Sequence, residues 1–256
     1  MTHDVPSHSP AHRLIDGRGT DEATWNASPG FADLPTVDVA TWPERFGRIW
    51  MLAPHPDDEI LALGGTLSRL SAQGADIHIL SVTDGEASHE GSTAWTHERL
   101  IQARPEEMLR GLRRLAVKAQ VSRLGLPDGR VGGHRAVLLR RLLECVSEGD
   151  LLLTTCRFDG HPDHEACGDV ALLAGELTGA TVFEYPVWMW HWAGPDEALI
   201  PWERAHRLPI DADRVYRKRE AISEFTSQIE ADGSHEAILP PNVVARFVRP
   251  FEVVFL

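Results

Sequence analysis

The stretch RIWMLAPHPDDEILALGG, residues 48–65, contains the change of pattern on which the fold turns. Its first six residues are an apolar run of strand length, and Ile60, Leu63, Leu67 and Leu70 then recur at helical spacing until Gly74 interrupts them. The reading is strand, loop, helix. The loop carries one histidine and three acids within residues 55–59, which suits either a crowded surface turn or a metal site.

The same alternation continues along the chain. DIHILSVT (76–83) reads as a buried strand followed by a glycine-bearing acidic loop, DGEASHEGS. Met108, Leu109, Leu112, Leu115 and Ala116 mark one helix face, VSRLGL a short strand, and Leu138, Leu139, Leu142, Leu143 and Val146 a second helix. DLLLTT (150–155) is strand again, Ala166, Val170, Leu173 and Leu177 give a further helix, and TVFEYPV a further strand. Beyond residue 187 come VWMWHWAGP, a helix through Val215, Ile222, Phe225 and Ile229, and a closing VVFL strand. Such alternation implies right-handed βαβ units and an α/β fold, a Rossmann-like three-layer α/β/α sandwich around a mostly parallel sheet. Functional groups in such sheets gather in loops at the carboxyl ends of the strands. Residues 1–45, rich in Pro, Ser, Asp, Gly and Thr without a sustained period, are expected to form a partly irregular N-terminal extension, and 46–256 a single domain.

Composition restricts the function classes. With 256 residues, 43% hydrophobic and 25% charged, the chain can bury a full core. A formal net charge of −13 provides no basic footprint for nucleic acid or an anionic membrane. No run reaches the roughly 18 apolar residues of a membrane span, and the N-terminus lacks the order of a secretory signal, so a cytoplasmic protein is expected. Cys145, Cys156 and Cys167 show no CxxC spacing, and all three are expected to be small buried hydrophobes, with Cys167 the one that could lie near a site.

Two stretches share a histidine, proline, aspartate core: HPDDE at 55–59 and HPDHE at 161–165. Imidazole and carboxylate suit zinc or a similar divalent metal such as Fe2+. His161 and His164 are three residues apart, as are His55 and Asp58, so within a first helical turn each pair can face one cleft. One metal could take His55, Asp58 and His164 and keep an open position for water, leaving Asp57 placed to remove a proton from that water. Either motif alone also fits a helix-capping turn, but both at the ends of strands of one sheet favour the metal.

With PHPDDE, TDGE (83–86), RPEEM, LPDG (126–129) and DGHPDHEA (159–166) in this order, the sequence resembles the LmbE-like or PIG-L superfamily of zinc-dependent N-deacetylases, clearly over about residues 47–190. The resemblance implies removal of an acetyl or other acyl group from an N-acetylglucosamine-type sugar or glycoconjugate. It implies His55, Asp58 and His164 as zinc ligands, Asp57 as general base, and His161 as the group that stabilises the oxyanion or protonates the amine, with Asp163 holding its imidazole. It places Arg104 and Asp128 at the polar head of the sugar, although an arginine at a helix start and an aspartate in a Pro-Asp-Gly turn equally fit an exposed surface. KREAISEFTSQ (218–228) is similar in style to the family's later helix. One departure is Asp159, where some thiol-sugar members carry tyrosine. The implied partner is a small amino-sugar or glycoconjugate substrate, with no nucleic acid and no membrane span, and homo-oligomers are allowed.

Other readings remain open at this level. A metallophosphoesterase could use the same ligands, and a sugar-binding protein could keep the fold without catalysis. Trp188, Trp190 and Trp192 alternate, so in an extended segment they would share one face, suited to a sugar ring, to core packing or to an oligomer contact. His78 and His191 read as incidental. Lys218 and Arg219 read as a solvated helix face that a substrate phosphate or carboxylate could use.

Overall fold

The computed structural model describes residue 13 and residues 15–233 and 236–256. Three short helices, α1 (Glu22–Ala27), α2 (Pro29–Ala32) and α3 (Trp42–Arg45), lead into the alternating body. The body runs β1 (Ile49–Ala53), α4 (Asp58–Ala72), β2 (Ile77–Ser81), α5 (His97–Arg114), β3 (Gln120–Arg123), α6 (Arg135–Cys145), β4 (Leu151–Thr155), α7 (Pro162–Thr178) and β5 (Thr181–Tyr185). After a helical turn, α8 (Met189–Trp192), come β6 (Ala205–Pro209), α9 (Ala212–Ile222), α10 (Thr226–Ile229), α11 (Pro241–Val244) and β7 (Phe251–Phe255). The seven strands lie in the order β3-β2-β1-β4-β5-β7-β6.

Every residue of β1 and β4 is buried, as expected of central strands covered on both faces. Alternate residues feed two cores. Ile49, Met51, Leu151 and Leu153 join the layer with Leu63, Leu67, Met108 and Phe225, whereas Trp50, Leu52 and Leu152 join Leu138, Leu142, Ala166 and Val170. The sheet is parallel from β3 to β5, and β7 then enters antiparallel between β5 and β6. The α/β architecture is thus the one the alternation implied, with an antiparallel edge added. The topology reverses between β1, which leads on to β2, and its other neighbour β4, so the crevice of the sheet opens at the carboxyl ends of those two strands.

Several expectations are corrected by long-range partners. The segment after β5 is not extended: residues 189–192 make one helical turn, so the tryptophans diverge. Trp190 packs edge-on against the fully buried Trp25 with ring centroids 5.0 Å apart, while Trp192 Nε1 donates to Asp159 O at 3.0 Å. The helix expected through residues 215–229 breaks near Phe225, and the side chain of Glu107 takes the N–H and hydroxyl of Ser227 at the start of α10. Cys156 and Cys167 are buried, but Cys145 is only half-buried.

Lys218 is the largest departure, being 1% exposed rather than solvated. The cause lies in α4, where Leu63 leaves helical geometry (φ −128°, ψ 20°) and the N–H groups of Gly65 and Thr66 donate instead to the two carboxylate oxygens of Glu252, at 2.8 and 2.7 Å. Glu252 on β7 therefore caps a second helix begun in the middle of α4. Lys218 Nζ balances that buried carboxylate at 2.6 Å and also reaches Ala62 O at 3.4 Å. Burial pulls its pKa below the ordinary lysine range, against the attraction of Glu252. Gly65 leaves room for this arrangement, since a Cβ there would lie 2.7 Å from Ile210 Cδ1 and 3.2 Å from Glu252 Oε1.

A buried ion pair is costly to break from one side. Replacing either Glu252 or Lys218 by alanine should lower the unfolding free energy by about 3–5 kcal/mol, and the double variant should lose less than the sum. Urea denaturation of the four proteins checks this, and additive losses would show that the two charges do not act as a pair.

Candidate active site

The chain leaves β1 through Pro54, His55 and Pro56, and Asp58 opens α4. Asp58 Oδ2 accepts the backbone N–H of His55 at 2.8 Å and lies 3.3 Å from His55 Nδ1. On the neighbouring strand, β4 ends at Thr155, whose hydroxyl donates to His164 O at 2.9 Å and ties down the first turn of α7. That turn carries His161 at its N-cap, then Asp163 and His164. His164 Nε2 lies 3.0 Å from His55 Nδ1 and 3.3 Å from Asp58 Oδ2.

These three atoms form a triangle whose edges, 3.0, 3.3 and 3.3 Å, approach the roughly 3.3–3.4 Å between ligands of a tetrahedral site with 2.0–2.1 Å bonds. The far side of each ring fixes its tautomer. His164 Nδ1 meets Asp159 Oδ2 at 2.7 Å and His55 Nε2 meets Asp128 Oδ1 at 3.0 Å. Carboxylates only accept, so those nitrogens carry the protons, and the two facing nitrogens of the neutral rings present lone pairs to each other beside a carboxylate oxygen. Such a set calls for a cation. The titration of the groups gives the same sign: burial opposes the charged imidazole, yet Asp58 and Asp159 raise His164 to about 9. For His55, burial is likewise overcome by Asp128, Asp163 and Asp58, and its pKa stands well above the ordinary histidine value. Asp58 is held far below the carboxylate range, His164 outweighing the burial that would raise it.

A nitrogen of His161 also lies within 4.8 Å of donor atoms of His55 and His164, so this histidine borders the same point. A second cluster, His55, Asp128 and Asp163, is equally compact but unsuited to an ion. It would use the His55 nitrogen that already donates to Asp128, and Asp163 spends both oxygens on the N–H groups of Gly129 and Val131, at 2.7 and 3.0 Å.

Asp57 is not one of the triangle's donors but lines the cavity beside them. Its backbone has φ +155° and ψ −28°, a conformation seldom adopted by a side-chain-bearing residue, and such strain clusters at functional sites. Its Oδ2 accepts from Arg104 Nη2 at 2.8 Å, and Arg104 Nη1 donates to Gly85 O at 2.9 Å. Gly85, the glycine of TDGE, has φ +70°, and a Cβ there would lie 2.1 Å from Arg104 Nη1, so only glycine admits the guanidinium. Burial raises the Asp57 pKa to about 6 while Arg104 restrains it.

The remaining candidate residues fall nearby, in places that sequence could not specify. Arg104 is buried, and Asp128 is half-buried with its side chain only 7% exposed. Asp128 lines the cavity, but its oxygens take His55 Nε2 and the N–H of Ala87, the latter at 2.8 Å. Asp163 does not hold the His161 imidazole through its carboxylate; its backbone N–H donates to His161 Nδ1 at 3.2 Å. That bond leaves the proton of the neutral ring on Nε2. Burial, with the charges of His164 and His55, lowers the His161 pKa well below the ordinary value.

Asp159 was missed as a functional residue. Besides His164, its carboxylate accepts the N–H groups of Val187, Trp188 and Met189 at 2.7–3.0 Å. Its signal in the sequence was an acid five residues before His164, inside DGHPDHEA. His191, read as incidental, is buried and lines the cavity; its Nδ1 accepts from Arg246 Nη1 at 2.9 Å and its Nε2 meets Asp16 O at 3.0 Å. The cavity has a volume of about 510 Å³ and receives His55, Asp57, Asp58, Arg104, Asp128 and His161 in its wall, within the usual range for small-molecule sites.

Residues 50–174 match the family model described as PIG-L, GlcNAc-PI de-N-acetylase. Over those residues, just under half of the chain, the protein is similar to the PIG-L family. It is 37% identical over 78 residues to the 1D-myo-inositol 2-acetamido-2-deoxy-alpha-D-glucopyranoside deacetylase of Rhodococcus opacus, covering 30% of this chain and 26% of that one. To the protein of the same name from Salinispora arenicola it is 26% identical over 251 residues, covering 80% of each. The chain thus spans about a quarter of the first relative's length and four-fifths of the second's. The N,N'-diacetylchitobiose deacetylase of Pyrococcus horikoshii superposes with a TM-score of 0.56 at 20% identity over 74% of this chain and 73% of its own, which shows a shared fold. Among the described residues no helix is long and apolar enough to cross a membrane.

Partners that orient metal-binding histidines typically contribute about 10–100-fold in affinity. Asp159→Asn keeps the side chain's size and removes its charge, and should weaken zinc binding by about that factor, read by competition with a chromophoric chelator. Unchanged affinity would remove Asp159 from the support of the site.

Proposed function

We propose that the protein is a zinc-dependent deacetylase that hydrolyses the acetamide of an N-acetylglucosamine-type sugar, releasing acetate and a free amine. The observation that carries this reading is the three-atom set of His55, Asp58 and His164 bordered by a strained, arginine-held Asp57. Its relatives, named as deacetylases of acetamido sugars, support the same chemistry. When bound by those three residues, a divalent ion supplies a Lewis acid that acidifies water and polarises the acyl carbonyl.

The chain's own groups account for the rest. Asp57, with a pKa near neutrality, is ionised at pH 7 yet basic enough to take the proton of the attacking water, and Arg104 fixes the direction of its carboxylate. His161, neutral and protonated on Nε2, donates to the oxyanion that develops as water adds to the carbonyl carbon. As the C–N bond breaks, the departing nitrogen takes the proton that Asp57 removed from the water and leaves as amine, and Asp57 is again ionised. Ligand binding alone would need neither a strained base nor a histidine held in one tautomer, so the sugar-binding alternative explains less. A two-metal phosphoesterase needs a second free donor set, and the Asp128 and Asp163 oxygens are already spent on N–H groups.

Chelation should abolish acetate release and added zinc restore it. Asp57→Asn should retain zinc and lose about 10²–10⁴-fold in kcat; turnover at the wild-type rate with metal bound would refute the base assignment. The pH profile carries a sign. Because the base must be deprotonated, kcat/KM falls as pH drops through the pKa of Asp57. Arg104 holds that pKa down, so Arg104→Gln should move the acid limb to higher pH. A limb that stays in place would separate Asp57 from the ionisation that controls turnover.

A further inference from the structure

The chemical groups described so far occupy only part of the cavity wall. The remainder comes from segments other than the strand-end loops, and it is largely apolar: Ile15, Trp188, Ile238, Leu239, Pro240 and Val243. Leu239 and Val243 are buried from solvent, and Trp188, Ile238 and Pro240 are half-buried. This part of the wall is built to hold its shape. The N-terminal strap around Arg18 is tied to α11 by Asn242 Nδ2, which donates to Arg18 O at 3.2 Å, and the buried Arg246 donates to the same oxygen at 2.6 Å. Thr20 anchors the strap again, its N–H donating to His191 O at 2.8 Å and its hydroxyl to Ala193 O at 2.7 Å. On the other segment, Leu239 N–H donates to Gln228 O at 2.8 Å.

Charge narrows what this wall can hold. Among the described residues lining the cavity, Arg104 is the sole lysine or arginine, and both of its terminal nitrogens are engaged, by Gly85 O and by Asp57 with Pro56 O. Asp57, Asp58, Asp128 and Glu236 line the same space. A phosphate on the sugar's substituent would therefore find carboxylates and no free cation, whereas binding of such groups relies on charge-assisted donors. Gln228 and Ser88 add polar edges suited to hydroxyls.

We infer that the ligand of this cavity is an amino sugar with an uncharged, apolar aglycone, alkyl or aryl, seated on the wall of Ile15, Trp188, Ile238, Leu239, Pro240 and Val243. As a statement about substrate, it rests on the deacetylase reading above. The aglycone buries carbon against carbon, and each methylene removed from water contributes about two- to fourfold in affinity. Preference for such glycosides is then set by residues that take no part in the hydrolysis.

The test is a homologous series, methyl to hexyl glycosides of N-acetylglucosamine in both anomers, together with N-acetylglucosamine 1-phosphate, assayed by acetate release from the zinc-loaded full chain. We expect kcat/KM to climb about two- to fourfold per methylene, with the 1-phosphate below the methyl glycoside. Ile238→Asp should flatten the climb and Ile238→Leu should keep it. A flat series with wild-type protein, or the 1-phosphate as the fastest substrate, would overturn the inference. Calorimetry with alkyl glucosides that lack any acyl group reads the same wall without catalysis and should show the same gain per methylene. Absence of acetate from every sugar, with binding that still strengthens along the alkyl series, would refute the deacetylase reading alone; binding that ignores chain length would refute the inference alone.

Discussion

Two nitrogen lone pairs, His55 Nδ1 and His164 Nε2, point at each other across 3.0 Å with a carboxylate oxygen 3.3 Å from both. With both rings neutral that arrangement is repulsive, so the pair calls for a proton or a metal ion between them, and its geometry is fixed from behind by Asp128 and Asp159. Much of the surrounding structure serves to hold those two rings in place. Thr155 secures the turn that carries His164, Asp58 secures the backbone of His55, and the amides of residues 187–189 secure Asp159. A site so constrained would take a cation without reorganising, which is what preorganisation means in energetic terms.

The sheet makes the meeting possible. His55 and His164 are 109 residues apart in sequence, yet β1 and β4 are adjacent and parallel, with Ile49 opposite Leu151. Parallel neighbours end on the same side, so the loop after each strand arrives at one crevice. The loops after β2 and β3 arrive there too, bringing Gly85 for the guanidinium of Arg104 and Asp128 for His55. No antiparallel pairing would have put four consecutive strand ends on one edge. The antiparallel strands β6 and β7 serve a different purpose. They carry Glu252, which allows α4 to break at Leu63 and so frees its first turn to be positioned by Asp58 rather than by the packing of the whole helix.

This division explains which features could be seen in the sequence. Strand and helix alternation is a local, periodic signal, and the apolar runs at residues 48–53 and 150–155 gave β1 and β4 within one residue. The motif pair was legible for the same reason, since each half lies in one continuous stretch and each spacing of three is a helical turn. What was not legible depended on a partner distant in sequence. Lys218 looks like any lysine on a charged helix until Glu252, 34 residues away, is placed beside it. The tryptophans of residues 188–192 alternate in sequence, but Trp25 and the Asp159 carbonyl draw them into a helical turn. Asp128 and Arg104 carry ordinary surface contexts in sequence, and only the convergence of loops buries them.

The adjacency of Asp57 and Asp58 shows how two identical side chains are given different chemistry. Both are buried, and burial alone would raise both. Asp58 faces two histidines at 3.3 Å, and their charge outweighs burial, so it stays an anion at any working pH and is fit to hold a cation. Asp57 faces one arginine and, behind it, the charge of Asp58, and the balance leaves its pKa near 6. With a stronger ionic partner it would be too weak a base to move a proton; with none, burial would leave it protonated and unable to accept one. The unusual backbone at Asp57 is what makes the separation geometric. Consecutive residues in a regular helix point about 100° apart and would share much of one environment, whereas φ +155° turns the Asp57 carboxylate toward Arg104 while Asp58 keeps the histidines. The strain of one residue thus gives a doubled acid two environments, one suited to the ligand and one to the base of the proposed reaction.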